Sequence, residues 1–199
     1  MARMGGSSTK GESTMARKII LDVAVTLDGF IEGKNGEVDW CMMDAEMGFL
    51  SFLHQVDTIF YGRKSYDLWG QFHPELAHSD TEKEIWRVVH SKEKYVFSRT
   101  QKGTGDKTIF INDHILEEVN KIKNKPGKDI WLYGGSSLIS TFISLGLVDE
   151  FRLSVHPVIL GEGKPLFMDI KKRLNVKQVE ARTFSSGVVQ LIYQWDGKE

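Results

Sequence analysis

The chain has 199 residues, 41% hydrophobic and 27% charged, with a formal net charge of −1. That balance fits one soluble globular domain with a sizeable core, and it excludes both a disordered chain and the broad basic field of a nucleic-acid binder. No apolar run approaches the ~20 residues a membrane helix needs, and the single cysteine, Cys41, excludes an intrachain disulfide and a multi-cysteine metal site.

Residues 1–14 (MARMGGSSTKGEST) are small, polar and aperiodic, and a second Met-Ala-Arg begins at Met15. They read as a disordered leader or tail, which leaves residues 15–199 as one domain. Cysteine usage suits a reducing compartment, so the expected location is cytoplasmic.

Lys18 to Thr26 (KIILDVAVT) is a strand of central-sheet character with Asp22 inside it. Asp22 reads as a turn toward solvent or as a satisfied core carboxylate. Leu27 to Gly36 is a glycine-rich loop with an Asn-Gly turn, suited to cover a site. Trp40 faces a ligand or packs in the core; the pattern favours neither. Met43 to Gln55 reads as a helix with Met47, Phe49, Leu50 and Leu53 on its apolar side and Asp44 and Glu46 in its first turn, where acids suit the helix dipole.

Asp57 to Tyr61 is the next strand, and Gly62-Arg63-Lys64-Ser65-Tyr66 opens a short helix directly after it. A glycine, two cations and a hydroxyl at a helix start are groups that hold a phosphate. His73 and His78 lie in an irregular connection without a partner at ligand spacing; they read as surface residues, and no metal is expected. Asp80 to His90 is an amphipathic helix. Glu93 to Phe97 is a strand followed by Ser98-Arg99-Thr100, a second polar strand end. Lys107 to Ile111 is a strand, and the helix Asp113 to Lys123 is expected to be capped by Asn112 or Asp113.

Ile130-Trp131-Leu132-Tyr133 is a buried strand, Gly134 and Gly135 follow, and Leu138, Ile139, Phe142 and Ile143 recur at helical spacing until Gly146. Strand, paired glycines and helix bring unpaired N–H groups close to an anionic ligand, although such a pair by itself more often marks an ordinary turn. Val148 to Val155 reads as a strand broken by His156-Pro157. Leu174 to Phe184 and Val188 to Trp195 read as a hairpin. Alternating strands and helices that end in a hairpin give a three-layer α/β/α fold, with a mostly parallel sheet and an antiparallel C-terminal edge. Ligands of such sheets bind at the strands' carboxyl ends, where the polar junctions at Gly62, Ser98 and Gly134 all fall.

VTLDGFIEGKNGEVDW, DTIFYGRKSYDLWG, KYVFSRT, DIWLYGGSSLISTFISLGLVDEF and HPVILGEGKPLF occur in the order and spacing of a known family. From about Arg17 to Trp195 the chain resembles the dihydrofolate-reductase-like fold, and more closely its RibD C-terminal branch. The resemblance implies NADPH as hydride donor. It places Arg63, Lys64 and Ser65 on the cofactor phosphates, and Ser98, Arg99 and Thr100 about the adenosine 2′-phosphate. Gly134, Gly135, Ser136 and Ser137 fall along the pyrophosphate and nicotinamide, with a cis Gly-Gly bond. Ala24 lies on the strand beside the nicotinamide, and Asp28 in the loop above it. Trp40, Leu50, Tyr133 and Ser154 are the substrate-side candidates under the same resemblance.

Dihydrofolate reductases carry a pterin-binding acid on the helix after the Trp. Counting back from Gly62 gives Glu46; counting on from Trp40 gives Ala45, between Asp44 and Glu46. Glu46 is the acid candidate, with Asp44 left open beside it, and Asp28, in the loop over the nicotinamide under the same resemblance, is the other catalytic candidate. The arginine that binds folate's α-carboxylate has no counterpart in HSKEKYVF, so dihydrofolate is expected to be a poor substrate. The expected activity is NADPH-dependent reduction of a small pteridine- or pyrimidine-like heterocycle or a carbonyl compound, in a homodimer. A non-catalytic nucleotide-binding module on the same fold is the alternative.

Overall fold

The computed structural model describes residues 16–42, 45–71, 77, 79–105 and 107–197. The leader, Asp44, His73 and His78 lie outside the described residues. Strands β1 (Ile19–Thr26), β3 (Val56–Gly62), β4 (Glu93–Phe97), β6 (Thr108–Ile111), β7 (Asp129–Gly134) and β8 (Glu150–His156) run parallel within a nine-stranded sheet, in the order β8-β1-β7-β3-β4-β6. The antiparallel hairpin β10 (Val176–Thr183) and β11 (Val189–Trp195) extends it beyond β8, and the short β5 (Thr104–Gly105) closes the other edge. This is the dihydrofolate-reductase-like α/β arrangement.

Strand alternation divides the core between two faces. On one face Ile19, Leu21, Phe60, Ile130 and Leu132 pack against α4 (Ile115–Lys123) and α5 (Ser136–Ser144), through Val119, Ile139 and Phe142. On the other, Ile20, Ile59, Tyr61, Val96 and Trp131 pack against α1 (Phe49–Gln55) and α3 (Asp80–His90), through Phe52, Leu53, Val88 and Val89. Central strands buried on both faces read as continuous apolar runs, which is why KIIL and IWLY stand out in the sequence.

Three local expectations are corrected. The helix expected over Met43–Gln55 is, among its described residues, a 3₁₀ turn at Ala45–Met47 and then α1, separated by Gly48 at φ +67°. Glycine takes that left-handed conformation without a Cβ clash, and the helix restarts there. Neither Asn112 nor Asp113 caps α4. His114 occupies the cap position at φ +48° with no side-chain cap bond, and the Asn112 amide instead donates to the Ser98 and Gln101 carbonyls at 2.7 and 2.5 Å. The loop after β1 contains a short strand, β2 (Phe30–Glu32), paired antiparallel with β9 (Lys164–Pro165). Three- and two-residue strands carry too little pattern to stand out before their partner is known.

Candidate active site

β7, β3 and β4 are consecutive in the sheet, so their carboxyl-end junctions at Gly134, Gly62 and Ser98 lie side by side. Strands sit about 4.8 Å apart, so these polar ends form a shelf roughly 10 Å long, suited to an extended ligand. At its centre two backbones nearly touch. A Cβ on Gly62 would stand 3.2 Å from the Gly134 carbonyl oxygen and 3.3 Å from the Gly135 nitrogen, and one on Gly135 would stand 3.3 Å from Ser65 Oγ. Gly134 has φ +114°, and the Gly134–Gly135 bond is cis. α5 starts immediately after; Leu138 and Ile139 N–H both donate to the Gly135 carbonyl, which leaves the N–H groups of Ser136 and Ser137 as those its first turn offers at the shelf.

The other expected shelf residues differ in what they do. Lys64 and Ser65, on the one-turn helix α2 (Arg63–Ser65), line the adjoining cleft. Arg63 is paired with Asp67 at 2.5 Å across one turn. Ser98 Oγ accepts from the Thr100 and Gln101 N–H groups at 3.3 and 2.9 Å, so it shapes its turn, while Arg99 and Thr100 are exposed. Ser136 is buried and donates to the Pro165 carbonyl at 2.8 Å, which ties the start of α5 to β9; Ser137 is exposed. Glycines without Cβ atoms, helix N–H groups, two cations and hydroxyls along one edge suit a phosphate-bearing dinucleotide.

Beside the shelf lies a cleft of about 700 Å³ on the α1/α3 face. Trp40, Phe49, Tyr61, Trp86, Trp131 and Tyr133 supply aromatic walls, and Ala24, Ser154 and Gly135 lie on the strand side. Tyr61 and Tyr133 are 4.8 Å apart between ring centroids, and burial pushes both phenols upward. Burial likewise raises the Cys41 thiol at the cleft wall. Trp40 packs edge-on against buried His156 at 5.3 Å, so it meets both the cleft and the core. The His156 ring donates from Nδ1 to the Ser154 carbonyl at 2.9 Å. Glu32 on β2 pairs with Lys164 on β9, and both line the cleft, so the small second sheet forms part of its cover.

The expected catalytic and substrate residues are only partly gathered here. Glu46 is exposed and does not line the cleft; its carboxylate accepts from Ser185 Oγ at 3.0 Å, in the turn between β10 and β11. Leu50 packs with the α1 core, and Phe49 and Met47 reach the cleft instead. Asp28 is exposed and ties two loops together. It accepts from Thr26 Oγ1 at 2.6 Å and from the Leu160 and Gly161 N–H groups at 3.1 and 2.8 Å, bonds that hold its carboxyl below the usual range.

Several cleft residues carried no site expectation, Asp22, Trp69, Trp86 and Trp131 among them. The signal for Asp22 is a lone charge inside an otherwise apolar strand. Its carboxyl is pushed up to about 6, by burial first, with Arg152 on β8 opposing that shift and Glu150 adding to it. α3 places Ile85, Trp86 and Val89 at the cleft wall, an apolar barrier on a helix whose pattern gave no hint of ligand contact. Among the described residues no group of His, Cys, Asp and Glu is arranged to hold a metal, and no helix is long and apolar enough to cross a membrane.

A parallel-sheet shelf beside an aromatic cleft at the strands' carboxyl ends is the site layout of a ligand-binding α/β domain. The RibD C-terminal domain model matches residues 17–190, and the chain belongs to that family. It is 72% identical over 181 residues to the uncharacterized protein YyaP of Bacillus subtilis (strain 168), covering 91% of this chain and 96% of that protein. A crystal structure of a proposed riboflavin biosynthesis protein from Shewanella sp. PV-4 superposes with a TM-score of 0.75 at 22% identity, covering 92% of this chain and 99% of that one. Dihydrofolate reductase from Enterococcus faecalis, complexed with NADP(H), superposes with a TM-score of 0.61 at 13% identity, covering 90% and 96%. Those two likenesses concern the fold.

Proposed function

We propose that this protein is an NADPH-dependent reductase of a small planar heterocycle, pteridine- or pyrimidine-like, or of a carbonyl compound. The observation that carries this reading is the shared wall: Lys64, Ser65 and Gly135 of the anion-binding shelf also line the aromatic cleft, together with Ala24 and Tyr133. A dinucleotide held along the shelf would bring its reactive ring to the cleft, where it supplies a hydride. The chain's own work is positioning and exclusion of water. Arg63, Lys64, Ser65 and the first turn of α5 would hold the phosphates; Ser98, Arg99 and Thr100 would meet the far end of the cofactor. Trp131, Tyr133 and Trp86 would sandwich a flat acceptor, with Tyr61 buried behind Tyr133. Among the described residues, α3 lines the cleft with Ile85, Trp86 and Val89 and adds no cation there to anchor a folate tail, so dihydrofolate would be a poor substrate.

The test is titration of NADPH against NADH by tryptophan quenching. Micromolar NADPH binding, with weaker NADH binding and at least tenfold losses in Arg63→Ala or Arg99→Ala, supports the reading; no binding of either cofactor refutes it. The placement of Glu46 outside the cleft is what a non-catalytic nucleotide-binding module would show, and absence of turnover with pterins, flavin precursors and quinones despite NADPH binding would favour that alternative. A homodimer joins the proposal: the edge strand β10 exposes Val176 and Val179, which a second copy would cover, and light scattering reads the mass. A cytoplasmic location is part of the same proposal.

A further inference from the structure

Beneath the cleft, the same face of β1, β8 and β11 carries a polar stripe that neither the cofactor shelf nor the aromatic walls use. Asp22 and Arg152 are register partners on β1 and β8, Ala24 and Ser154 follow two residues on, and Gln190 on β11 pairs with Ser154. Asp22 lines the cleft with 12% of its side chain accessible. Arg152 Nε stands 3.2 Å from Asp22 Oδ2 but is not aligned for a hydrogen bond, and the guanidinium lies 4.7 Å from the centroid of the Phe52 ring, behind the cleft rather than in it. The cleft therefore meets the carboxylate and not the cation. Arg152 offsets the charge, and its fork does not consume the acceptor sites of Asp22.

Further groups there await partners. Among the described residues, Gln190 donates to Ser154 Oγ at 3.4 Å while its own Oε1 is buried without a partner, and so is the indole N–H of Trp40, a cleft residue. Buried polar atoms left unsatisfied are costly and mark functional sites.

We propose that Asp22 is the specificity-determining residue of this cleft, its carboxylate accepting from the donor edge of a planar nitrogen heterocycle, an adjacent amine and ring N–H as in a ring-protonated aminopyrimidine, with Arg152 holding the carboxylate from behind. The inference rests on the reading that the cleft takes the substrate. Flat aromatic walls select a planar ring. A carboxylate accepts two parallel N–H bonds from an amidinium-type edge, which an aminopyrimidine presents once its ring nitrogen takes up a proton, and repels the carbonyl oxygens of a dione.

The test compares 2,4-diaminopyrimidine with uracil as probes, by calorimetry on the full chain at about neutral pH, with NADPH binding measured alongside. Wild type should bind the diamine at least tenfold more tightly than uracil. Asp22→Asn should weaken the diamine roughly ten- to hundredfold, the usual loss for a hydrogen bond to a charged group, with uracil affinity no weaker than in wild type and NADPH affinity within about threefold of it. Equal affinity of wild type for the two probes, or a preference that survives in Asp22→Asn, overturns the proposal. If Asp22→Asn loses its near-UV circular dichroism, the wild-type comparison decides alone. NADPH binding without any preference sinks this inference and leaves the reductase reading. A preference without NADPH binding sinks the reductase reading and leaves Asp22 as a recognition residue.

Discussion

Asp22 should make the protein less stable at neutral pH than in mild acid, and its removal should abolish that cost. Its carboxyl titrates at about 6 in the folded chain against 3.8 when unshifted. Because the folded value is raised, the folded state holds the proton more tightly than the unfolded one. The contribution is fully present below the unfolded value and is lost as pH rises through the folded value. The difference is worth about 3 kcal/mol in all, of which about 2 kcal/mol disappears between about pH 4 and pH 7. Asp22→Asn stands in for the protonated acid at every pH. Relative to wild type, it should therefore gain about 2 kcal/mol over that interval, or roughly 4–8 °C in melting temperature for a domain of this size. Taking the difference between the two proteins cancels every other titrating group. Thermal melts of both at several pH values are the assay. A melting difference that stays constant across the interval would refute the buried, raised Asp22, and with it the claim that this strand gives up stability for a carboxylate in its cleft.

Gly62→Ala should destabilise the chain by about 1–3 kcal/mol, since the added methyl meets backbone atoms at 3.2 and 3.3 Å that cannot swing aside; chemical denaturation reads this, and NADPH titration should show binding weakened as well. Glu46→Gln should leave ligand binding within about twofold of wild type, because that carboxylate holds the turn at Ser185 and not the cleft; a tenfold loss would return Glu46 to the site. Asp28→Asn should loosen the loop at Leu160 and Gly161, seen as faster hydrogen exchange of those two amides. In wild type the same loosening should appear only as pH falls below the ordinary carboxylate range, because the folded value is lowered and the tie persists above it. Trp86→Ala opens the apolar wall that α3 builds, and should weaken binding of flat heterocycles more than tenfold while NADPH affinity holds.

The sheet and the shelf were legible in the sequence for a physical reason. KIILDVAVT and DIWLYGG owe their character to burial on both faces and to backbone freedom, properties written into a short stretch of chain, and a parallel sheet then brings their carboxyl ends to one edge. Phosphate-compatible groups at Gly62, Ser98 and Gly134 could be found because each lies within a few residues of its strand. The cleft could not be read in the same way. Glu46 was placed by counting back from Gly62 and Leu50 by the resemblance, both on a continuous helix; Gly48 interrupts that helix, and Met47 and Phe49 line the cleft instead. Trp86 arrives from a helix some sixty residues away from β1, on a face with no signal of its own. Asp22 was visible as a charge in an apolar strand, yet whether it met solvent, core or ligand depended on Arg152 from β8 standing behind it and α3 closing over the front. Local pattern records what a residue does for its own strand or helix. Which side chains share a cavity is set by strand order and by how helices from distant parts of the chain pack across the sheet, and only the tertiary structure decides that.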